Sequence, residues 1–360
     1  MRIAVLGVGL IGGSIGLAAK RRLGAEVSGF DPDPVARERG LERRTVDRMD
    51  GSIAGAVEGA EVVFCAAPVR TLPGLISEAL AASSEQAVVT DVGSTKGSLI
   101  RAVAGPHTER FIGGHPLAGA ETAGVENARA ELFEGARWYL TPTERSSGVL
   151  YDRVQRTISD LGARPQAIDP ETHDRLMATV SHLPHVIANV LVQQAAAATA
   201  EESERLPEVG PSFRDTTRVA GANPPVWGDI FATNRDAVAR EIESVSKRLR
   251  EAAELIRSGD EERVGAWHGA AREHRRRLLE ADLAGGELYE LRLSVENRPG
   301  TVAELALALG RAGVNIEDMA LYPAPDMRTG AVSLWVAGEG EAKRAAEIVR
   351  GLGHNVSLTR

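Results

Sequence analysis

His115 stands in Gly113-Gly114-His115-Pro116-Leu117-Ala118-Gly119, fed by the short apolar run Phe111-Ile112. An imidazole with an ordinary pKa of about 6.5 can accept a proton near neutrality, which is what removing hydride from an alcohol requires. The spacing puts His115 just past the end of a strand, and open α/β sheets bind ligands at the carboxyl ends of strands. Asp91-Val92-Gly93-Ser94-Thr95-Lys96 also ends a strand-like run, which places Ser94 at the same sheet edge. In Ser181-His182-Leu183-Pro184-His185 two histidines lie one helical turn apart, with a proline that must kink or start a helix. Phe213-Arg214-Asp215-Thr216-Thr217-Arg218 brings charge into a loop, and Trp227 follows in Pro224-Pro225-Val226-Trp227-Gly228-Asp229. Taken singly, each has an ordinary explanation: a turn histidine, packed core histidines, a surface ion pair, a core tryptophan. No third ligand at a diagnostic spacing accompanies His182 and His185, so no metal is expected.

A second constellation handles phosphate. Gly7-Val8-Gly9-Leu10-Ile11-Gly12 follows one apolar run and opens a helical one. In that context Gly7 permits a tight turn, Gly9 a close approach of backbone to a pyrophosphate, and Gly12 close helix–strand packing. Asp31 lies nineteen positions beyond Gly12, near the spacing of a ribose-binding acid. Its carboxylate suits the 2′-hydroxyl of NAD and repels the 2′-phosphate of NADP, although Arg37, Arg39, Arg43 and Arg44 are close in sequence. The expected cofactor residues are Gly7, Gly9, Leu10, Ile11, Gly12, Asp31, Ala67 and Pro68, and the expected cofactor is NAD.

The elements that must position these groups alternate in the first half. Strands are expected at 3–6, 26–30, 61–66, 87–91, 111–113 and 138–141, with helices between the early ones and a last helix and strand up to about 168. This reads as a doubly wound, mostly parallel sheet of the Rossmann type. From 169 to 283 alternation gives way to long Ala-, Glu- and Arg-rich helical stretches, an all-helical second domain. Within it, Arg272-Glu273-His274-Arg275-Arg276-Arg277 reads as a solvated helix face. Residues 287–360 alternate anew: a strand over 289–295, a helix from the N-cap Thr301 to about 313, strands at 316–321 and 331–336, a helix over 340–352 and a strand at 355–359. That βαββαβ order is a ferredoxin-like module.

Composition excludes other classes. Across 360 residues the formal charge is -8, which argues against nucleic acid or an anionic membrane as partner. The single cysteine, Cys65, reads as a small buried strand residue and allows no internal disulfide, in keeping with a reducing cytoplasm. No signal peptide is read ahead of the first strand, and the apolar stretch 186–200 is too short and too interrupted to span a bilayer.

Together the segments 7–16, 91–96, 113–119 with Glu121, 181–185, 214–218 and Trp227 resemble the prephenate dehydrogenase family. The resemblance implies NAD-dependent oxidative decarboxylation of prephenate to 4-hydroxyphenylpyruvate by a homodimer. It also implies that His115 takes the proton of the ring hydroxyl, that Ser94 orients that hydroxyl, and that Arg218 grips a substrate carboxylate. His185 is then expected at the pyruvyl side chain, with His182, Trp227, Asp215 and Glu121 completing the pocket. Residues 287–360 resemble an ACT domain, which implies an amino-acid effector, with tyrosine as the natural candidate. Its expected contacts are Asn297, Arg298, Pro299, Gly300, Asn315 and Ile316. Three alternatives stand beside this reading: an arogenate dehydrogenase, a β-hydroxyacid dehydrogenase and a non-catalytic NAD- and amino-acid-sensing regulator. The second needs a lysine on a helix of the second domain, and none occurs between Lys96 and Lys247.

Overall fold

In this computed structural model the described residues are 1–103, 105–118, 124–200, 209–281, 287–296, 318–323 and 329–359, with 305, 308, 309, 312, 314 and 316. Eight strands form the first sheet: β1 (Arg2–Leu6), β2 (Glu26–Phe30), β3 (Arg48–Met49), β4 (Val62–Cys65), β5 (Val88–Asp91), β6 (Phe111–Pro116), β7 (Arg137–Thr141) and β8 (Arg164–Ala167). Their order is β3-β2-β1-β4-β5-β6-β7-β8, with every pair parallel except β6 with β7. The first six strands thus have the doubly wound dinucleotide-binding order. The two-residue β3 was not expected, because so short an edge strand carries no alternation to read.

Strand periodicity sorts the core into two layers. Ile3 and Val5 of β1 join Val62, Phe64 and Trp138 on one face, whereas Ala4 and Leu6 join Val63, Cys65 and Val89 on the other. All of these are buried, which is why the central strands read as continuous apolar runs. Cys65 is one of them, and burial pushes its thiol pKa up.

One expectation about His115 is corrected. It lies inside β6, not beyond it, because the antiparallel β7 extends the strand to Pro116 and pairs His115 with Tyr139. β5 accompanies β6 only at Phe111 and Ile112, so the two strands part just before the histidine.

The described residues between 170 and 281 are helical apart from short connections. Pro184 is the second residue of the helix Leu183–Ala200, at its start, as one of the two expected placements has it. A π-helical turn at Ala178–His182 joins Pro170–Met177 to Leu183–Ala200, and such a wide turn can absorb the hydrogen bond that a proline cannot make. The stretch Pro170–Ala198 is long and apolar enough to cross a membrane by length and composition, yet it carries His173, Asp174 and His182, all buried within the protein.

Compactness divides the chain at 1–248 and 249–360, inside the helix Arg235–Arg257. In the second unit β9 (Leu288–Glu296), β10 (Asp318–Pro323), β11 (Thr329–Ala337) and β12 (Val356–Thr359) form an antiparallel sheet ordered β10-β11-β9-β12. The helix Glu339–Gly351 packs Ala342, Ala346 and Val349 against Leu291, Leu293 and Val332. In the basic helical run Arg276 and Arg277 pair with Glu273, while Arg275 lies over the Trp335 ring.

Candidate active site

At the carboxyl end of β1 the chain turns through Gly7 at φ +102°, a left-handed conformation that favours glycine. A Cβ on Gly7 would lie 2.3 Å from the Ala66 carbonyl oxygen, and one on Gly12 would lie 1.9 Å from that of Gly7. The helix Leu10–Ala18 then begins with no side-chain cap and no acidic residue in its first turn. A Cβ at Gly9 would meet nothing within 4 Å. Open space beside uncapped helix N–H groups is the arrangement that accepts a phosphate. Asp31 follows β2 and is fixed beside this turn, its Oδ2 accepting from the Val8 amide at 2.7 Å and its Oδ1 from the Asp33 amide at 2.9 Å. Arg37 donates to the Asp31 carbonyl at 2.7 Å.

From the turn a cleft of about 570 Å³ runs past Leu10, Ile11, Ala67, Pro68 and Ser94 to Asn223, Trp227 and Asp229. Asp229 forms an ion pair with Arg70 (3.7 Å). Of the residues chosen for a dinucleotide, Gly9, Leu10, Ile11, Ala67 and Pro68 therefore line the same cleft as Ser94 and Trp227.

His115 is 8% exposed and lies behind a polar network instead of lining that cleft. Where β5 and β6 part, Asp91 bridges the gap: it accepts from the amides of Gly93 (2.7 Å) and Gly114 (3.0 Å) and from the Lys96 ammonium. Lys96 also donates to the Gly114 carbonyl at 2.8 Å, and both members of the pair are fully buried. Burial lowers the Lys96 pKa, while Asp91 works in the opposite direction. A Cβ on Gly114 would lie 2.5 Å from the Asp91 carbonyl oxygen, so this close approach needs a glycine.

The imidazole of His115 meets that of His173, with Nδ1 2.9 Å from Nε2. His173 Nδ1 is in turn 2.9 Å from Asp174 Oδ1. Asp174 also accepts from the backbone amides of Lys96 and Gly97, each at 2.8 Å. Burial pushes His115 well below its ordinary pKa, with further lowering from His173, Lys96 and His182, so the imidazole is neutral at pH 7. Burial also lowers His173, against the opposing pull of Asp174. Neither His173 nor Asp174 was singled out from the sequence. Their one available signal was a histidine at helical spacing from the buried Met177, and nothing local placed it opposite His115 across 58 positions.

The helical-domain residues fall into two settings. His182 is buried, with Nδ1 3.1 Å from the Asn234 amide nitrogen, and burial brings its pKa down to about 4. His185 is half-buried and stacks on Trp227 at 3.4 Å between ring centroids. Burial and then the Arg218 charge lower its pKa, so Arg218 lies in its vicinity. Arg218 begins a short 3-10 turn and is exposed. Asp215 is exposed on the helix Pro211–Thr217 and does not line the cleft. Glu121 lies outside the described residues, as do Asn297, Arg298, Pro299, Gly300 and Asn315. Ile316 packs half-buried against the core of the second sheet.

Two family models match, "Prephenate dehydrogenase, nucleotide-binding domain" over residues 15–166 and "Prephenate dehydrogenase, dimerization domain" over 169–269. A prephenate dehydrogenase of Bacillus subtilis is 29% identical over 357 residues, which cover 96% of this chain and 95% of the relative. The crystal structure of prephenate dehydrogenase from Aquifex aeolicus in complex with hydroxyphenyl propionate and NAD+ superposes with a TM-score of 0.73 at 32% identity, covering 77% of this chain and 98% of that one. That of Synechocystis arogenate dehydrogenase does so with a TM-score of 0.66 at 28% identity, covering 77% of this chain and 100% of that one.

Proposed function

Because this chain belongs to the prephenate dehydrogenase family, we propose that His115 is the base in its NAD-dependent oxidative decarboxylation of prephenate. The observation that carries this reading is a neutral imidazole at the carboxyl edge of the sheet, held where β5 and β6 part. NAD, when bound, supplies the acceptor for the hydride leaving the ring carbon that bears the hydroxyl. His115 takes the hydroxyl proton as that hydride leaves. The carboxylate then departs as CO2, its bond electrons aromatise the ring, and the proton returns to the phenolate oxygen. No net proton is released, so the base is restored in each turnover.

Other residues bind and orient. The Gly7–Gly12 turn and Asp31 hold the dinucleotide, and Ser94 donates to or accepts from the reacting hydroxyl. Arg218 grips a carboxylate with two parallel donors, which a lysine could not reproduce. His185 and Trp227 shape the side-chain end of the pocket. A neutral imidazole close to the Arg218 guanidinium suits a keto-acid side chain better than an ammonium, which favours prephenate over arogenate. NADH formation on mixing with prephenate, but not with arogenate, tests the substrate. His115→Asn should retain NAD binding and lose turnover roughly 10²–10⁴-fold; near-normal turnover removes His115 from the mechanism.

The domain division 1–168, 169–283 and 287–360 follows from the same reading. Exposed Val180, Val190, Leu191 and Val192, within the segment matched by the dimerisation model, support a homodimer. The strand order of the second sheet is that of a ferredoxin-like module, which supports an ACT fold, and tyrosine is the effector we propose for it. Tyrosine inhibition that survives removal of residues 287–360 excludes the module as the sensor.

A further inference from the structure

We infer that His173 and Asp174 are positioning residues that lock His115 in the tautomer with its proton on Nδ1, leaving Nε2 bare as the proton acceptor, and that Asp174 ties the Ser94 turn to the same point. The inference rests on the reading of His115 as the base and adds how the helical domain makes it one.

The direction of each hydrogen bond follows from Asp174. Its carboxylate accepts from the amides of Lys96 and Gly97 at 2.8 Å each, an environment that favours the ionised form. Although burial raises its pKa, the hydrogen bonds from His173 and these amides prevail, and the net shift is downward. An ionised carboxylate can only accept, so His173 must present Nδ1–H to it across 2.9 Å. The other nitrogen of a neutral His173 is then a lone pair, which can only accept from Nδ1–H of His115. The reverse orientation would set a lone pair of His173 against a buried carboxylate. Tyr139 presses edge-to-face on the His173 ring (5.6 Å between centroids), which fixes its plane.

The groups facing this chain come from every element around it. The Lys96–Asp91 pair belongs to the β5 turn, His182 to the π-helical turn, and His173 and Asp174 to the helix Pro170–Met177. His173, Lys96 and His182 all disfavour a cation on His115, and Asp174, bonded to His173, is the negative charge at the far end of this hydrogen-bonded chain. When His115 accepts the substrate proton it becomes an imidazolium in a buried site. Its Nδ1–H can then polarise toward His173, whose own Nδ1–H is held by Asp174. The same carboxylate holds the amides that follow Ser94 and Thr95, so docking of one helix aligns both groups expected at the reacting hydroxyl. A buried acid–imidazole couple that fixes a tautomer can be worth orders of magnitude in turnover.

The test compares His173→Leu with His173→Gln in the full-length enzyme, using prephenate turnover, NAD binding and the acid limb of the pH profile. Glutamine can accept from His115 through its carbonyl and donate to Asp174 through its amide; leucine can do neither. The expected result is a kcat loss of at least about 10²-fold for His173→Leu, with most activity kept by His173→Gln and NAD affinity unchanged in both. Asp174→Asn should lower kcat and move the acid limb to lower pH, since the imidazolium loses its counter-charge. Turnover of His173→Leu within threefold of the parent, or equal loss in both variants, overturns the inference. Imidazole nitrogen NMR of the unmodified enzyme stands independently of any variant's folding: a protonated Nε2 and bare Nδ1 on His115 overturns it too. If His115→Asn is inactive while His173→Leu is not, the base reading survives and the positioning role falls. If His115→Asn stays active, both fall.

Discussion

The two histidine clusters of the site differ in how they are held. Around His115, the imidazole contacts His173, which leads on to Asp174, while the Asp91–Lys96 pair holds the adjacent Gly114, and all of these side chains are buried. Around His185, which is half-buried, the dominant contact is a ring stacked on Trp227. Hydrogen bonds are directional and fix a tautomer, whereas stacking fixes a plane; the His185 ring has both, a stack on Trp227 and a hydrogen bond with the Val219 backbone. The first arrangement suits a group that must move one proton at one atom. The second suits a group that recognises part of a ligand. His182 joins the two, bonded to Asn234 on one side and edge-on to Trp227 at 5.9 Å on the other.

The contrast can be broken most severely at the buried pair. Lys96→Met leaves Asp91 as an uncompensated charge, and removing one partner of a buried pair costs about 3–5 kcal/mol. Denaturant midpoints should fall accordingly, and a loss under 1 kcal/mol would mean that the pair does not bear on the polar cluster's stability. His182 sharpens the comparison through pH. Its pKa in the folded protein is about 4, below the ordinary 6.5, so the unfolded chain takes up the proton first. The stability gained from keeping His182 neutral is complete above pH 6.5 and is lost as pH falls toward 4, by about 3 kcal/mol. His115, also lowered by burial, acts in the same direction. Thermal melts across that range should show a shallower decline for His182→Gln than for the parent, and equal slopes would count against the assignment. The smallest effect belongs to the stack. Trp227→Leu removes an aromatic pair worth about 0.5–1.5 kcal/mol and should raise KM for prephenate roughly twofold to tenfold while sparing kcat. A fall in kcat with KM unchanged would place Trp227 with the proton-handling cluster instead.

The cofactor turn was legible because its requirements are local. Gly7 and Gly12 answer to clashes with backbone atoms that the β1–turn–helix geometry itself brings near, and Asp31 to its place at the end of the next strand. The strands of both sheets were legible from alternation and apolar runs, except β3, which has two residues. His115 was singled out by its glycine neighbours, yet its place inside β6 depended on pairing with β7, a partner more than twenty residues away. His173 and Asp174 gave no comparable signal, since a histidine and an aspartate in the first turns of a helix have many ordinary uses.

By itself the sequence determined which groups could do chemistry and which turn could hold a dinucleotide, because residue type and short-range backbone geometry suffice for that. Only the tertiary structure decided the state of the His115 imidazole. Its imidazole partner lies on a helix 58 positions further along the chain, its pKa is lowered by burial, His173, Lys96 and His182, and proton affinity is set by what packs around a group rather than by its neighbours in sequence.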